Sequence, residues 1–353
     1  MIKIIFLLFT IFILSTSLYA SKNIQWNLAI SVPSTFSPIS SASFILAKTV
    51  NEMSNGRFII KIDGKEKQQT NENILDLVQA KTYEIGHTSS SAMQNNEINT
   101  IWFRGTPFGM TSKEQYTWYY YGQGQKYMSK VFDQYGVLSF PGGSLDTQMF
   151  GWSTKKISNL TDLEGLKINQ NGIISEILSF YKVKLQDIPL SQNLEAFKTA
   201  KLDIINGISP SIDIKMGFHK VAKYYYKSWD QPSSHMQFIV NKKAFESLPK
   251  NYQSILTAAI KIAATDVFIE NFYTSAKALK KIQEEFPNIQ ILSLPNAVLQ
   301  GLKKSTTIVF EQYAKENKLF KEIYNDQKEF LKLIRPLSIL GEYSYIQDTT
   351  TLK

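Results

Sequence analysis

Few residues in this 353-residue chain could do covalent chemistry. There is no cysteine, and the three histidines, His87, His219 and His235, stand far apart without metal-ligand spacing. No G-x-S-x-G nucleophile turn, no H-E-x-x-H zinc motif and no glycine-rich phosphate loop in a strand-to-helix setting occurs. Without cysteine there is also no thiol nucleophile, no disulfide and no lipid-modified anchor. Recognition remains: two short polar runs, His87-Thr88-Ser89-Ser90 and Asn206-Gly207-Ile208-Ser209, carry groups that hydrogen-bond a small solute. The chain reads as a binder and not as an enzyme. The plainer alternative, that both runs are ordinary polar loops, stays open at this point.

The elements that must position these runs read as an open α/β arrangement. Ile24 to Ser31 alternates as a strand. Ser40 to Ser54 carries helical spacing in Phe44, Ala47, Val50 and Met53, and Asn55-Gly56 ends it before a strand from Arg57 to Ile62. Asn71 to Lys81 is a second amphipathic helix, followed by the short strand Tyr83 to Gly86. A faint repeat then appears. Residues 73–91 (NILDLVQAKTYEIGHTSSS) align without a gap on residues 193–211 (NLEAFKTAKLDIINGISPS). One helix-strand unit built twice implies two similar lobes. Ligands of open α/β sheets lie beyond the carboxyl ends of the strands, which is where both polar runs fall. Val137 to Ser153 reads as two strands around the turn Pro141-Gly142-Gly143, and Met236 to Asn241 as another, both candidate crossovers between lobes. Asn251 to Glu285 has sustained apolar spacing without proline or glycine, long enough to brace both lobes or to pair with a second copy.

Composition sets the compartment. Lys3, the apolar run Ile4 to Leu14 and a small-residue stretch ending Leu18-Tyr19-Ala20 have the layout of a secretory signal cleaved after Ala20. The apolar run is too short to span a bilayer, which needs about 20 residues. Removing 20 of the 353 residues leaves 333, enough for two lobes, and 43% apolar residues suffice for packed cores. The expected product is periplasmic and not lipid-anchored. The net charge of +9 comes almost wholly from dispersed lysines, with only Arg57, Arg104 and Arg335 as arginines. That pattern indicates a solvated surface and no nucleic-acid partner.

A set of segments in fixed order carries a family resemblance: Pro107-Phe108-Gly109-Met110, the aromatic stretch Trp118 to Tyr121, Phe140-Pro141-Gly142-Gly143 and Gln148-Met149-Phe150-Gly151-Trp152. Leu163 to Lys167, Val221 to Tyr226, Trp229, Val240 to Ala244 and Leu248-Pro249 continue it. From about Trp26 to beyond Pro249 the chain resembles the extracytoplasmic solute-binding subunits of TRAP transporters (the DctP family), in the branch that binds 2-oxo acids and lactate. The resemblance implies a two-lobed α/β periplasmic solute-binding protein with an interlobe ligand cleft and long C-terminal helices. It implies lobe 1 over 21–143, with 238–300 returning to it or bridging both lobes, lobe 2 over 144–237, and a helical segment over 301–353. Partners would be a small-molecule solute and the membrane permease subunits, with room for a homodimer.

Carried over position by position, the resemblance puts Gln148 at the family's substrate glutamine. Asn169 stands where an arginine clamps the substrate carboxylate. Asn206-Gly207 stands where a Glu-Trp pair helps hold a metal ion, and Gln237 where a further glutamate lies. One positive and two negative groups are thus replaced by amides. Amides lack the charge a hard cation prefers, and asparagine lacks the bidentate, charge-assisted grip of arginine. The expectation is therefore a pocket read by neutral hydrogen bonds, with no sodium, calcium or other cofactor at Asn206, Gly207 and Gln237. Arg104 or a lysine could move in as a substitute anchor, though no spacing supports either. Direct contacts are expected from Gln148, Asn169, Asn206 and Gln237, backbone contact from Gly207, and walls from Trp152 and Trp229, with His87 and Ser89 at the cleft edge. A periplasmic sensor subunit and an exported enzyme on the same scaffold are the alternatives.

Overall fold

The computed structural model describes residues 23–68, 73–90, 97–146 and 148–351; the secretory leader read over residues 1–20 lies outside them. The chain opens with β1 (Ile24–Ile30), α1 (Ser41–Met53) and β2 (Phe58–Asp63), then α2 (Ile74–Gln79) and β3 (Ile85–Ser89). Helix α1 buries Ala42, Leu46 and Val50, spaced by four, and ends where Asn55 (φ 52°) and Gly56 (φ 75°) turn into the left-handed region. Asn73 caps α2, its side chain accepting from Asp76 N at 3.0 Å. Helices α3 (Ser112–Tyr121) and α4 (Gly124–Phe132) lead into β4 (Val137–Asp146).

After β4 the chain changes sheets. β5 (Met149–Ser153), β6 (Lys167–Asn169), α5 (Gly172–Ser179), β7 (Lys184–Gln186), α6 (Asn193–Lys198), β8 (Ile204–Asn206), α7 (Pro210–Met216) and β9 (Tyr224–Lys227) follow in order. β10 (Ser233–Asn241) then returns to the first sheet, followed by α8 (Lys242–Ser247) and the 36-residue α9 (Lys250–Glu285). β11 (Gln290–Leu292), α10 (Asn296–Glu316), α11 (Lys318–Ser338) and α12 (Ser344–Thr351) complete the described chain. The first sheet has the order β2-β1-β3-β10-β4 and the second β11-β9-β5-β8-β6-β7. Each half of the repeat forms a helix and then a strand inside a sheet: α2-β3 in the first, α6-β8 in the second.

The chain leaves the first sheet after Asp146 and returns to it over 228–232. β4 keeps to the first sheet until Asp146, β10 enters it at Ser233, and β11, inside the 238–300 stretch, pairs with β9 of the second sheet. Pro141-Gly142-Gly143 is not a turn. It lies within β4, where the register against β10 slips between Gln237↔Pro141 and His235↔Ser144. A bulge absorbs the extra residue, and Gly142 permits it because a Cβ there would sit 2.7 Å from the Gln237 backbone.

Both lobes share α9, about 54 Å long at 1.5 Å per residue. Its first part buries Tyr252, Leu256, Ala259, Ile260, Ala263 and Val267 against the first sheet. Its buried stripe then turns polar, with Ser209 and Ser211 of the second lobe donating to Asn271 Oδ1 at 3.3 and 3.2 Å. A second contact between lobes is apolar: Ile39 and Phe36 from the first meet Ile208, Ile212 and Met216 from the second, beside Leu145 and Met236. Lys215 reaches across to the Ser37 carbonyl at 2.9 Å. The two lobes thus meet through both apolar and polar contacts. Helix α11 seats on the first lobe through polar pairs: Trp118 Nε1 donates to Asp326 at 2.6 Å, Gln327 to the Trp102 carbonyl, and Arg335 to Glu114 at 3.2 Å and to the Gly109 carbonyl.

Candidate functional site

The sequence-selected residues lie on both sheets, with His87, Ser89 and Gln237 on the first, Trp152, Asn169 and Asn206 on the second, Gly207 just after β8, and Gln148 and Trp229 between the sheets. On the first sheet Gln237 lies in the middle of β10, paired with Thr88 of β3 on one side and Pro141 of β4 on the other. Its side chain is fully buried, yet neither amide atom has a hydrogen-bond partner among the described residues. Leaving such a group dry and unpaired costs about 1–3 kcal/mol. His87 lies one strand away. It donates Nε2–H to the Gly142 carbonyl at 2.8 Å and stacks on Phe238 at 4.5 Å. Complete burial pushes its pKa down to about 4, so it is a neutral support for the β4 bulge. Ser89 sits half-buried at the carboxyl end of β3, opposite Met236.

On the second sheet Asn206 ends β8, paired with Gly151 of β5. Its Nδ2 donates to the Asn169 carbonyl, while Oδ1 is buried without a partner. Asn169 itself is committed elsewhere. Its Nδ2 donates to the Ile188 carbonyl at 2.5 Å and to Asn193 Oδ1 at 2.9 Å, and its Oδ1 accepts from Ile188 N at 3.2 Å. Those bonds tie β6 to the turn before α6. Gly207 is a close approach: a Cβ would sit 2.6 Å from the Met149 carbonyl oxygen and 3.1 Å from Asp213 Oδ2. Nothing larger fits there.

Trp152 faces inward. It is fully buried, stacks on Tyr225 at 3.8 Å, and donates Nε1–H to Asp213 at 3.0 Å. Tyr225 OH donates to the same carboxylate at 2.7 Å, and Ile208 N at 2.9 Å. Burial pushes the Asp213 pKa up to about 6 against the lowering effect of these donors. Sequence reasoning missed this aspartate, which lies under Gly207 and holds the loop after β8.

The crossovers supply the remaining groups. Gln148 stands just before β5. Gln231, missed in the sequence, stands in the second crossover. With its amide oxygen turned to the guanidinium it accepts from Arg104 Nε and Nη1 at 3.3 Å each, and its nitrogen lies 3.1 Å from Gln148 Oε1. Trp229 is 2% exposed, packs between Phe108 (5.9 Å) and Phe150 (6.0 Å), and its Nε1–H has no partner among the described residues. It also borders a cavity of about 950 Å³ between the 102–111 segment, the second crossover and helices α10 and α11. None of Gln148, Asn169, Asn206 or Gln237 lines that cavity.

This arrangement of two α/β sheets is matched by known proteins. The family described as bacterial extracellular solute-binding protein, family 7 (DctP), matches residues 30–317. The chain belongs to this family. A monocarboxylate 2-oxoacid-binding periplasmic protein of Nostoc is 31% identical to this family 7 chain over 324 residues, 92% of this chain and 88% of that protein. A TRAP periplasmic solute-binding protein of Colwellia psychrerythraea, solved with calcium and pyruvate, is 37% identical with a TM-score of 0.89, covering 93% of this chain and 100% of that one. One from Pseudoalteromonas atlantica, with sodium and pyruvate, is 36% identical with a TM-score of 0.87, covering 92% and 99%.

This family 7 protein is thus a TRAP-type solute-binding protein with the two-lobed fold its residues implied. The family and these neighbours are receptors, not enzymes. Among the described residues no helix is long and apolar enough to cross a membrane. The expectation of no cofactor is corrected: calcium or sodium accompanies pyruvate in both neighbours. The amides at Asn206 and Gln237 were weighed as missing charge, but amide oxygens are themselves ligands for hard cations. Gln237 Oε1 and Asn206 Oδ1 are buried and unpartnered, which fits oxygen donors for such an ion. Among the described residues no three acidic, histidine or cysteine side chains gather into a metal-holding group.

Proposed function

We propose that this protein captures a small monocarboxylate of the 2-oxo-acid class in the periplasm, after cleavage of its leader, and delivers it to TRAP permease subunits in the membrane. The observation that carries the reading is the buried, unpartnered amide of Gln237, a group that a solute held in the closed seam would satisfy. The pyruvate bound by relatives 36–37% identical supports the chemical class.

In this reading the first lobe contributes Gln237, the second Asn206 and the backbone at Gly207, and the crossover Gln148. Gln237 Oε1 and Asn206 Oδ1 would hold the cation, which supplies positive charge beside the carboxylate when bound. Trp229 excludes water from the crossover side. Asn169, Trp152, His87 and Asp213 act indirectly, by fixing the strands and loops that carry the contact groups. Closure follows from contacts that only the closed form makes, including Lys215 to Ser37 and the Ile212 cluster. A homodimer is compatible with the solvent-facing side of α9.

A thermal-shift screen of residues 21–353, with and without chelator, tests the reading. A 2-oxo acid at 100 times its dissociation constant adds about 2.7 kcal/mol, a rise of a few degrees in a chain of this size. A shift with pyruvate or lactate that chelator reduces is the expected result. A shift confined to uncharged amides or polyols would refute the carboxylate reading.

A further inference from the structure

We propose that Arg104 supplies the positive charge that grips the solute carboxylate, replacing the clamp that position 169 no longer provides. This rests on the carboxylate reading above. The side chains that the two sheets bring together, Gln148, Asn169, Asn206 and Gln237, carry no charge at all, and Asn169 is spent on the turn before α6. A small anion enclosed among neutral amides would lack a protein counter-charge, which is costly.

Arg104 is placed to provide one. It follows the buried run Ile101-Trp102-Phe103 and is itself half-buried. Its backbone is fixed at both ends: its N–H donates to the Ile101 carbonyl at 3.2 Å and its carbonyl accepts from His235 N at 2.8 Å, two residues from Gln237. The guanidinium meets Gln231, and Gln231 meets Gln148, so one amide separates the cation from the family's substrate glutamine. Of the five N–H donors on a guanidinium, Gln231 engages the Nε and Nη1 edge. The rest have no partner among the described residues.

No carboxylate of the described residues lies within ion-pair distance of Arg104. Asp230 acts on Arg104 through space and stays largely ionised at neutral pH, with burial pushing its pKa up only to about 6, but it lies outside ion-pair distance and accepts from the Ser228 hydroxyl at 2.8 Å. The other two arginines are engaged elsewhere, Arg335 by Glu114 and the Gly109 carbonyl and Arg57 by the Ser54 carbonyl, and Lys215 donates to the Ser37 carbonyl. A half-buried guanidinium with idle donors beside an uncharged site is the arrangement an anionic ligand completes.

Calorimetric titration of the mature chain with pyruvate and with its uncharged amide tests this. Arg104→Gln should weaken pyruvate by at least ~10-fold, the loss of a charge-assisted grip, and change the amide by less than ~2-fold. Gln231→Glu, which pairs Arg104 without removing it, should weaken pyruvate in the same direction. Circular dichroism melts report whether each variant is folded; if Arg104→Gln is not, Gln231→Glu decides. A folded variant that binds pyruvate within ~2-fold of the parent overturns the assignment while leaving the carboxylate reading intact. A parent that binds no carboxylate overturns both.

Discussion

Gln237 shows how a binding protein holds free energy in reserve. Its amide is buried on all sides and bonded to nothing among the described residues, so the folded chain is less stable than one with an apolar side chain of the same volume. Gln237→Met should therefore raise the unfolding free energy of the ligand-free protein by about 1–2 kcal/mol and abolish the solute-induced thermal shift. Chemical denaturation and the shift assay, run together, check both halves. A variant that loses stability would show that Gln237 has a structural partner. The sequence made the position visible only through the family resemblance, which sets Gln237 where a glutamate lies. It did not make visible that Asn169 turns away from the seam, since its partners Ile188 and Asn193 come from a turn 19 and 24 residues on. Nor did it connect Arg104 to Gln148. That link runs through Gln231, 127 positions from Arg104, and only the folded crossovers bring them together.

At the scale of elements, the loop between β8 and α7 is held from beneath by Asp213, which accepts from Trp152, Tyr225 and Ile208. Its pKa stands near 6 in the fold against an ordinary 3.8. The native state therefore binds a proton more readily than the unfolded chain. The stabilisation is complete below about pH 4 and is lost as pH rises through 6. Asp213→Asn keeps an acceptor oxygen but removes the titration. Relative to the parent, the variant should gain about 2–3 kcal/mol between pH 4 and 7. His87 and His235 work in the opposite direction, since burial lowers their pKa values to about 4 and 3. Their contribution is present above pH 6.5 and lost on acidification. Denaturation curves across this range separate the terms; a parallel pH profile for parent and variant would count against the Asp213 assignment. Helix identities were legible, as in α1 and the long α9, but the apolar face read for α1 was not the buried one: of Phe44, Ala47, Val50 and Met53 only Val50 is buried, while Phe44 and Met53 are exposed. The Pro141-Gly142-Gly143 segment misled because proline and glycine mark turns and bulges alike, and only the partner strand decides which.

For the whole molecule, the proposed capture works by closure, and the Ile212 cluster would serve as its apolar latch. Ile212 is fully buried, and what buries it includes Ile39 and Phe36 of the other lobe. Ile212→Ala should favour the open form and weaken solute affinity on the order of tenfold. Small-angle scattering of the ligand-free variant should show a larger radius of gyration than the parent. Unchanged affinity and unchanged compactness would mean that α9 and its serine–asparagine contacts set the closed state instead. The two-lobed plan was readable from the internal repeat, because each copy became a helix and an interior strand. The exact crossovers were not, since strands that change sheets look the same in sequence as strands that stay.

The seating of α11 also sets a schedule. Trp118 must wait for Asp326, 208 positions later, and Glu114 and Gly109 wait still longer for Arg335. At ~5–20 residues per second, synthesis leaves this flank of the first lobe uncovered for about 10–40 seconds after its own residues have emerged. The first lobe therefore cannot finish early, because a helix more than 200 positions later completes this flank.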